Sequence, residues 1–141
     1  MTKTRSPDTK SLVLERDMPH APDKVWRALT SGPLIEDWLM ANDFEPTVGH
    51  RFTLRTSPVG GWNGVIDCQV LAVEPPERLS YTWASMGVET VVTFTLTPTP
   101  TGARLRMEQS GFAADQEQNL RGARYGWTNF LERLETTANR A

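Results

Sequence analysis

Residues 79–84 read Leu-Ser-Tyr-Thr-Trp-Ala, residues 92–97 Val-Thr-Phe-Thr-Leu-Thr and residues 104–109 Arg-Leu-Arg-Met-Glu-Gln. Leu79, Tyr81 and Trp83 alternate with Ser80, Thr82 and Ala84. Val92, Phe94 and Leu96 alternate with Thr93, Thr95 and Thr97, and Leu105, Met107 and Gln109 with Arg104, Arg106 and Glu108. A period of two gives each strand one covered and one wet face. The run from Val65 to Ser110 therefore reads as four strands. Their covered face is rich in aromatic residues and methionine, and a long helical pattern follows. The pattern predicts an α+β fold: a curved antiparallel sheet gripping a helix, with room for an apolar guest between them.

Working outward, Leu12–Met18 forms a first strand that Pro19, Ala21 and Pro22 break. Pro22 suits the first turn of a helix, where its missing N–H is not needed, and Asp23 complements the positive end of the dipole. Val25, Trp26 and Leu29 give that helix an apolar side. Gly32 and Pro33 end it and open a second short helix, Pro33–Leu39, with Ile35, Trp38 and Leu39 as its stripe. After a loop over Ala41–Gly49, a strand from His50 to Thr56 turns Phe52 and Leu54 inward. In the next strand, Gly64–Glu74, Leu71 and Val73 fall out of step with Ile66, Cys68 and Val70, and a bulge near Leu71 reconciles them. Short links among the later strands imply an antiparallel meander. Asp115 caps a final helix, with Gln118 placed for a capping box, and Leu120, Ala123, Trp127, Phe130, Leu131 and Leu134 form its buried stripe. The expected order is one strand, two short helices, five strands and one long helix. This makes a six-stranded sheet.

A chain of 141 residues fits one domain with a proper core. Residues 1–10 read as a flexible tail and residues 11–141 as that domain. A net charge of -2 argues against a nucleic-acid partner, which requires a basic surface. No apolar run reaches the roughly 18 residues that span a bilayer, so membrane insertion is not expected. The polar Met1–Lys10 lacks the apolar core of a signal peptide, which predicts a cytoplasmic protein.

Trp38, Phe52, Trp62, Tyr81, Trp83, Phe94, Met107 and Trp127 are the candidate wall of an internal cavity, with Gln109 and Tyr81 as its polar groups. Aromatic residues at strand and helix spacing also pack as ordinary core, and Gln109 also suits a backbone contact near its strand end. Asp67, out of phase with Cys68, reads as solvated, and an earlier bulge would turn it inward. Arg55 reads as surface. Cys68, the one cysteine, reads as a small core residue without the flanking cations of an activated thiolate. His20 and His50 belong to no metal-ligand cluster, so neither a metal nor a cofactor is expected. Ser80 and Ser110 lack a histidine and acid in any recognisable triad pattern, and Gly60-Gly61 is a turn, not a phosphate loop.

Several words of the sequence, in order, carry a resemblance. They are Ala21-Pro22-Asp23-Lys24-Val25-Trp26-Arg27-Ala28-Leu29-Thr30, Pro33-Leu34-Ile35-Glu36-Asp37-Trp38 and Val48-Gly49 with Gly64. Glu74-Pro75-Pro76-Glu77-Arg78-Leu79-Ser80-Tyr81-Thr82-Trp83, Val91-Val92-Thr93-Phe94-Thr95-Leu96, Ser110-Gly111-Phe112 and Gly126-Trp127 follow. Over roughly residues 12 to 135 the chain resembles the START-like (SRPBCC, helix-grip) superfamily. Within it the chain is similar to the bacterial single-domain relatives of the activator of the heat-shock-protein-90 ATPase. Family members often carry His before Ser-Gly-Phe; here the position is Gln109, which cannot titrate near neutral pH. The resemblance implies a cavity between sheet and closing helix, but not one activity. The leading expectation is binding of a small hydrophobic molecule, lipid-like, aromatic or polyketide-like. A co-chaperone-like stimulator of a chaperone ATPase is the alternative. A cyclase-type enzyme ranks lower, because the inward residues offer only Tyr81, Gln109 and, with an earlier bulge, Asp67; no catalytic residue is assigned.

Overall fold

Leu12 and Met18 turn inward from the first strand, β1 (Lys10–Met18), and Val13, Glu15 and Asp17 turn out, as period-two alternation requires. A computed structural model describes residues 9–141. Of the tail expected over 1–10, residues 1–8 lie outside the described residues, and Lys10 already belongs to β1. Two short helices follow, α1 (Pro22–Thr30) and α2 (Gly32–Trp38). Ser31 closes the first and opens the second, and the indole N–H of Trp38 donates to the carbonyl of Ala28 at 2.8 Å, which fixes their angle.

The chain then lays down β2 (Ala41–Asn42), β3 (Arg51–Arg55), β4 (Val65–Glu74), β5 (Arg78–Ser85), β6 (Val88–Thr99) and β7 (Gly102–Phe112) before the long helix α3 (Glu117–Ala138). The sheet is antiparallel, in the order β1-β7-β6-β5-β4-β3-β2. It has seven strands, where six were expected. The additional one, β2, is two residues of the expected loop, too short to show alternation. The Asn42 amide holds it by donating to the carbonyls of Gly32 and Met40, and its Oδ1 accepts from the Phe44 amide.

The expected bulge is present: Val70 pairs with Tyr81 and Ala72 with Ser80, which leaves Leu71 unpaired and exposed while Val73 packs partly against the core. Gly64 stands where β4 leaves its turn, at φ +80°, and a Cβ there would lie 2.2 Å from the carbonyl oxygen of Thr56. Only glycine fits such a close approach.

Helix α3 starts later than expected. Asp115 and Gln118 form no capping box. Gln116 is the N-cap, no side chain caps the helix, and the Gln116 side chain accepts from the Ala113 amide at 2.8 Å instead. The helix packs on β1, β7, α1 and α2. Its burial is uneven along its length. Trp127, Leu131, Leu134, Thr137 and Ala138 are buried, whereas no residue from Glu117 to Gly126 is. The expected stripe thus splits, with Leu120 and Ala123 only partly covered. Two ion pairs clasp the covered half. Arg16 of β1 meets Glu135 at 2.8 Å, and Arg140 meets Asp37 of α2 at 2.6 Å. Among the described residues no helix is long and apolar enough to cross a membrane.

Candidate functional site

Because α3 sinks into the sheet only from Trp127 onward, its first half roofs a gap over the ends of β4 to β7. The gap is a cavity of about 350 Å³. Ile66, Trp83, Ser85, Val88, Gln109 and Phe112 wall it from the sheet. Asn119, Gly122, Ala123, Gly126, Trp127 and Phe130 wall it from α3, and Met40, Trp62 and Met86 close the sides. Among the described residues lining it none is titratable.

Four of the nine predicted wall residues, Trp62, Trp83, Gln109 and Trp127, meet here. Trp38, Phe52, Tyr81, Phe94 and Met107 do not line the cavity and are packed core. The reason is a plug that alternation does not reveal. Phe44, from the stretch after β2, sets its ring edge-on to Phe52 at 5.1 Å between centroids, and Phe52 meets Tyr81 at 5.2 Å. Tyr81 meets Phe94 at 5.9 Å, Trp38 stands edge-on to Phe94 at 6.2 Å, and Phe94 meets Trp127 at 5.7 Å. Rings in such edge-on and tilted contact leave no space for a guest. The opening begins on the far side of Trp127, which lies 5.2 Å from Trp83 and 5.6 Å from Phe130.

One polar chain crosses this wall. The Trp127 indole N–H donates to Gln109 Oε1 at 2.9 Å, Gln109 Nε2 donates to Thr90 Oγ1 at 2.9 Å, and the Thr90 hydroxyl donates to the carbonyl of Trp83 at 3.0 Å. Its direction is forced. An indole only donates, so the oxygen of the Gln109 amide faces Trp127 and its nitrogen faces Thr90. Gln109 and Thr90 are both buried, and their bonds join α3, β7, β6 and β5. Gln109 therefore serves side chains rather than a backbone group. Thr90 escapes sequence reasoning because a threonine in a strand carries no signal of its own.

The remaining candidates sit apart. Burial pushes the Tyr81 phenol well above its usual range, with the nearby Cys68 adding to the shift. Burial, helped by the negative charges of Asp67 and Asp43, pushes the Cys68 thiol up to about 12. Neither is a ready nucleophile or base at neutral pH. Asp67 and Arg55 are exposed. His20 is buried, with Nε2 at 3.1 Å from the carbonyl of Glu135, and His50 Nε2 lies 2.9 Å from that of Asp43. Among the described residues no three His, Cys, Asp or Glu side chains gather to hold a metal ion. The residues that sequence reasoning missed include Met40, Met86 and Asn119, which reach the cavity from turns and a helix start. Gly122 and Gly126 had a signal, being two glycines one turn apart inside a helix.

The family model described as "Activator of Hsp90 ATPase homolog 1-like protein" matches residues 19–139. No curated protein matches the chain. Among solved structures, protein MLL2253 from Mesorhizobium loti is 53% identical, with a TM-score of 0.85 over 94% of this chain and 98% of that one. Protein BH1534 from Bacillus halodurans is 26% identical, with a TM-score of 0.78 over 92% of this chain and 96% of that one. DynU16, of the dynemicin biosynthetic locus, shares the fold at 23% identity and a TM-score of 0.74, over 93% of this chain and 47% of that one.

Proposed function

The chain belongs to the family of Activator of Hsp90 ATPase homolog 1-like proteins, and from that premise we propose that it binds a small hydrophobic molecule in the cavity beneath the first half of α3. The observation that carries this reading is the wall itself. Three tryptophans, Trp62, Trp83 and Trp127, face a space of about 350 Å³, within the usual range for small-molecule sites. Burying the guest's apolar surface, at roughly 25 cal/mol per Å², drives binding. The chain of bonds fixes the Trp127 ring and ties it through Gln109 and Thr90 to the backbone of Trp83 before any guest arrives, so less ordering is left to offset the gain. The absence of a titratable group among the described wall residues favours binding over acid–base chemistry, which needs one within reach of the substrate. The fold's occurrence in the dynemicin biosynthetic locus agrees with a small-molecule role.

The test is a fluorescence titration with N-phenyl-1-naphthylamine, an uncharged probe of two ring systems. Saturable one-to-one binding with quenching of tryptophan emission is expected. A linear, unsaturable signal would remove the proposal. The family's name favours a second reading, stimulation of a chaperone ATPase. An ATPase assay with purified chaperone decides it: unchanged turnover at saturating protein excludes that role.

A further inference from the structure

Glycine is the least favoured helix-interior residue after proline. Helix α3 nevertheless carries two, Gly122 and Gly126, both in the cavity wall. Packing does not require them. A Cβ at Gly122 would meet nothing within 4 Å, and one at Gly126 only the Phe130 ring at 3.9 Å. Backbone conformation does not require them either, since neither has a positive φ. What they leave open is the cavity side of the helix, where the backbone itself forms the wall.

A second observation faces the same space. Gln109 is 2% exposed and lines the cavity. One hydrogen of its amide nitrogen goes to Thr90, and the other has no protein partner among the described residues. A guest offering an acceptor to that second hydrogen adds a bond to the one Gln109 already makes with Thr90, and so gains more than a guest without one.

We propose that Gly122 and Gly126 gauge the ligand: it is an uncharged, flat molecule lying against the bare backbone of α3, with an acceptor oxygen directed at the Gln109 amide. This rests on the cavity being a ligand site and adds the chemical class and the residues that select it. A side chain at either glycine narrows the gap between the helix and the facing Trp62 and Trp83 and excludes the larger guests first.

The test uses the flat ketone 6-propionyl-2-(dimethylamino)naphthalene by fluorescence and the smaller indole by calorimetry. Gly126→Leu is expected to weaken the ketone at least tenfold and to leave indole within threefold of the unaltered protein. The double variant Gly122→Ala with Gly126→Ala introduces only two methyl groups. It is expected to raise Tm by roughly 3–6 °C, as better helix formers do, while weakening the ketone at least threefold. Greater stability with poorer binding is the signature of glycines kept for the cavity. The oxygen is tested by competition, with 2-acetylnaphthalene expected to displace the ketone at least tenfold more strongly than 2-ethylnaphthalene. Ketone binding within twofold of the unaltered protein in both glycine variants overturns the gauge, and equal competition by the two naphthalenes overturns the acceptor. If the unaltered protein binds none of these probes, the proposed function itself falls.

Discussion

At the scale of single residues, Gln109 shows how position and role separate. Alternation alone puts it on the covered face, and that is where it lies. Its role depends on Trp127, 18 residues away along the chain, and on Thr90, and no local pattern announces either. Gln109→Leu leaves the Trp127 N–H without its acceptor and Thr90 without its donor, both in buried surroundings. The expected loss is about 2–3 kcal/mol in urea denaturation, with a change in tryptophan emission as the indole loses its partner. An unchanged midpoint and spectrum would mean that the chain of bonds holds nothing. Cys68 carries a pH prediction. Its thiol ionises near the ordinary value of 9.0 when unfolded and at about 12 when folded. Above pH 9 the unfolded state therefore holds fewer protons than the folded one, and stability falls as pH rises. The contribution is fully present below that pH and is lost through the folded value, by at most about 1.4 kcal/mol per pH unit. Tyr81 shifts in the same direction at higher pH. Equilibrium denaturation at several pH values should give a steeper decline between pH 9 and 12 in the unaltered protein than in Cys68→Ala; parallel curves would contradict this.

At the scale of elements, the six longer strands were legible because each writes its own two-residue period, and the bulge because Leu71 and Val73 break it; the two residues of β2 write none. The start of α3 was not, because Asp115 satisfies the local capping rule while Gln116 takes the position. Local propensity is a weak prior where tertiary contacts decide. The aromatic plug was hidden for a similar reason. Phe44 follows a two-residue strand and has no periodic neighbours, yet it fills the space above Phe52 and Tyr81. So five expected wall residues became core and four kept the cavity. Gly64 gives the clearest single-position test of an element junction. Gly64→Ala forces a Cβ against the Thr56 carbonyl at a positive φ, and a loss of about 2 kcal/mol or more is expected in chemical denaturation. The two halves of α3 supply another. With no buried residue from Glu117 to Gly126 and five beyond, amide exchange should be markedly faster in the first half. Uniform protection along the helix would refute the division.

At the scale of the whole molecule, the sheet and α3 are joined firmly at one end and loosely at the other, and the cavity lies at the loose end. The firm end has Leu134 and Ala138 in the core and the ion pairs of Arg16 with Glu135 and Arg140 with Asp37. At the loose end the layers meet through the cavity's own wall and the exposed ion pair of Lys10 with Glu117 at 4.0 Å. A guest seated there touches both layers, so its binding energy adds to the cohesion between them where the protein supplies least. Calorimetry in the presence of the naphthyl ketone at a hundred times its dissociation constant should show a gain of about 2.7 kcal/mol. For a domain of this size that is a rise in Tm of roughly 8 °C. Hydrogen exchange with and without the ketone locates the effect. Protection should increase between Glu117 and Gly126, where the free protein has no buried residue, and change little between Trp127 and Ala138, which is already covered. The pairing of the two measurements is what discriminates. A higher Tm with no added protection in the first half of α3 would put the guest elsewhere on the molecule and separate the cavity from the function assigned to it.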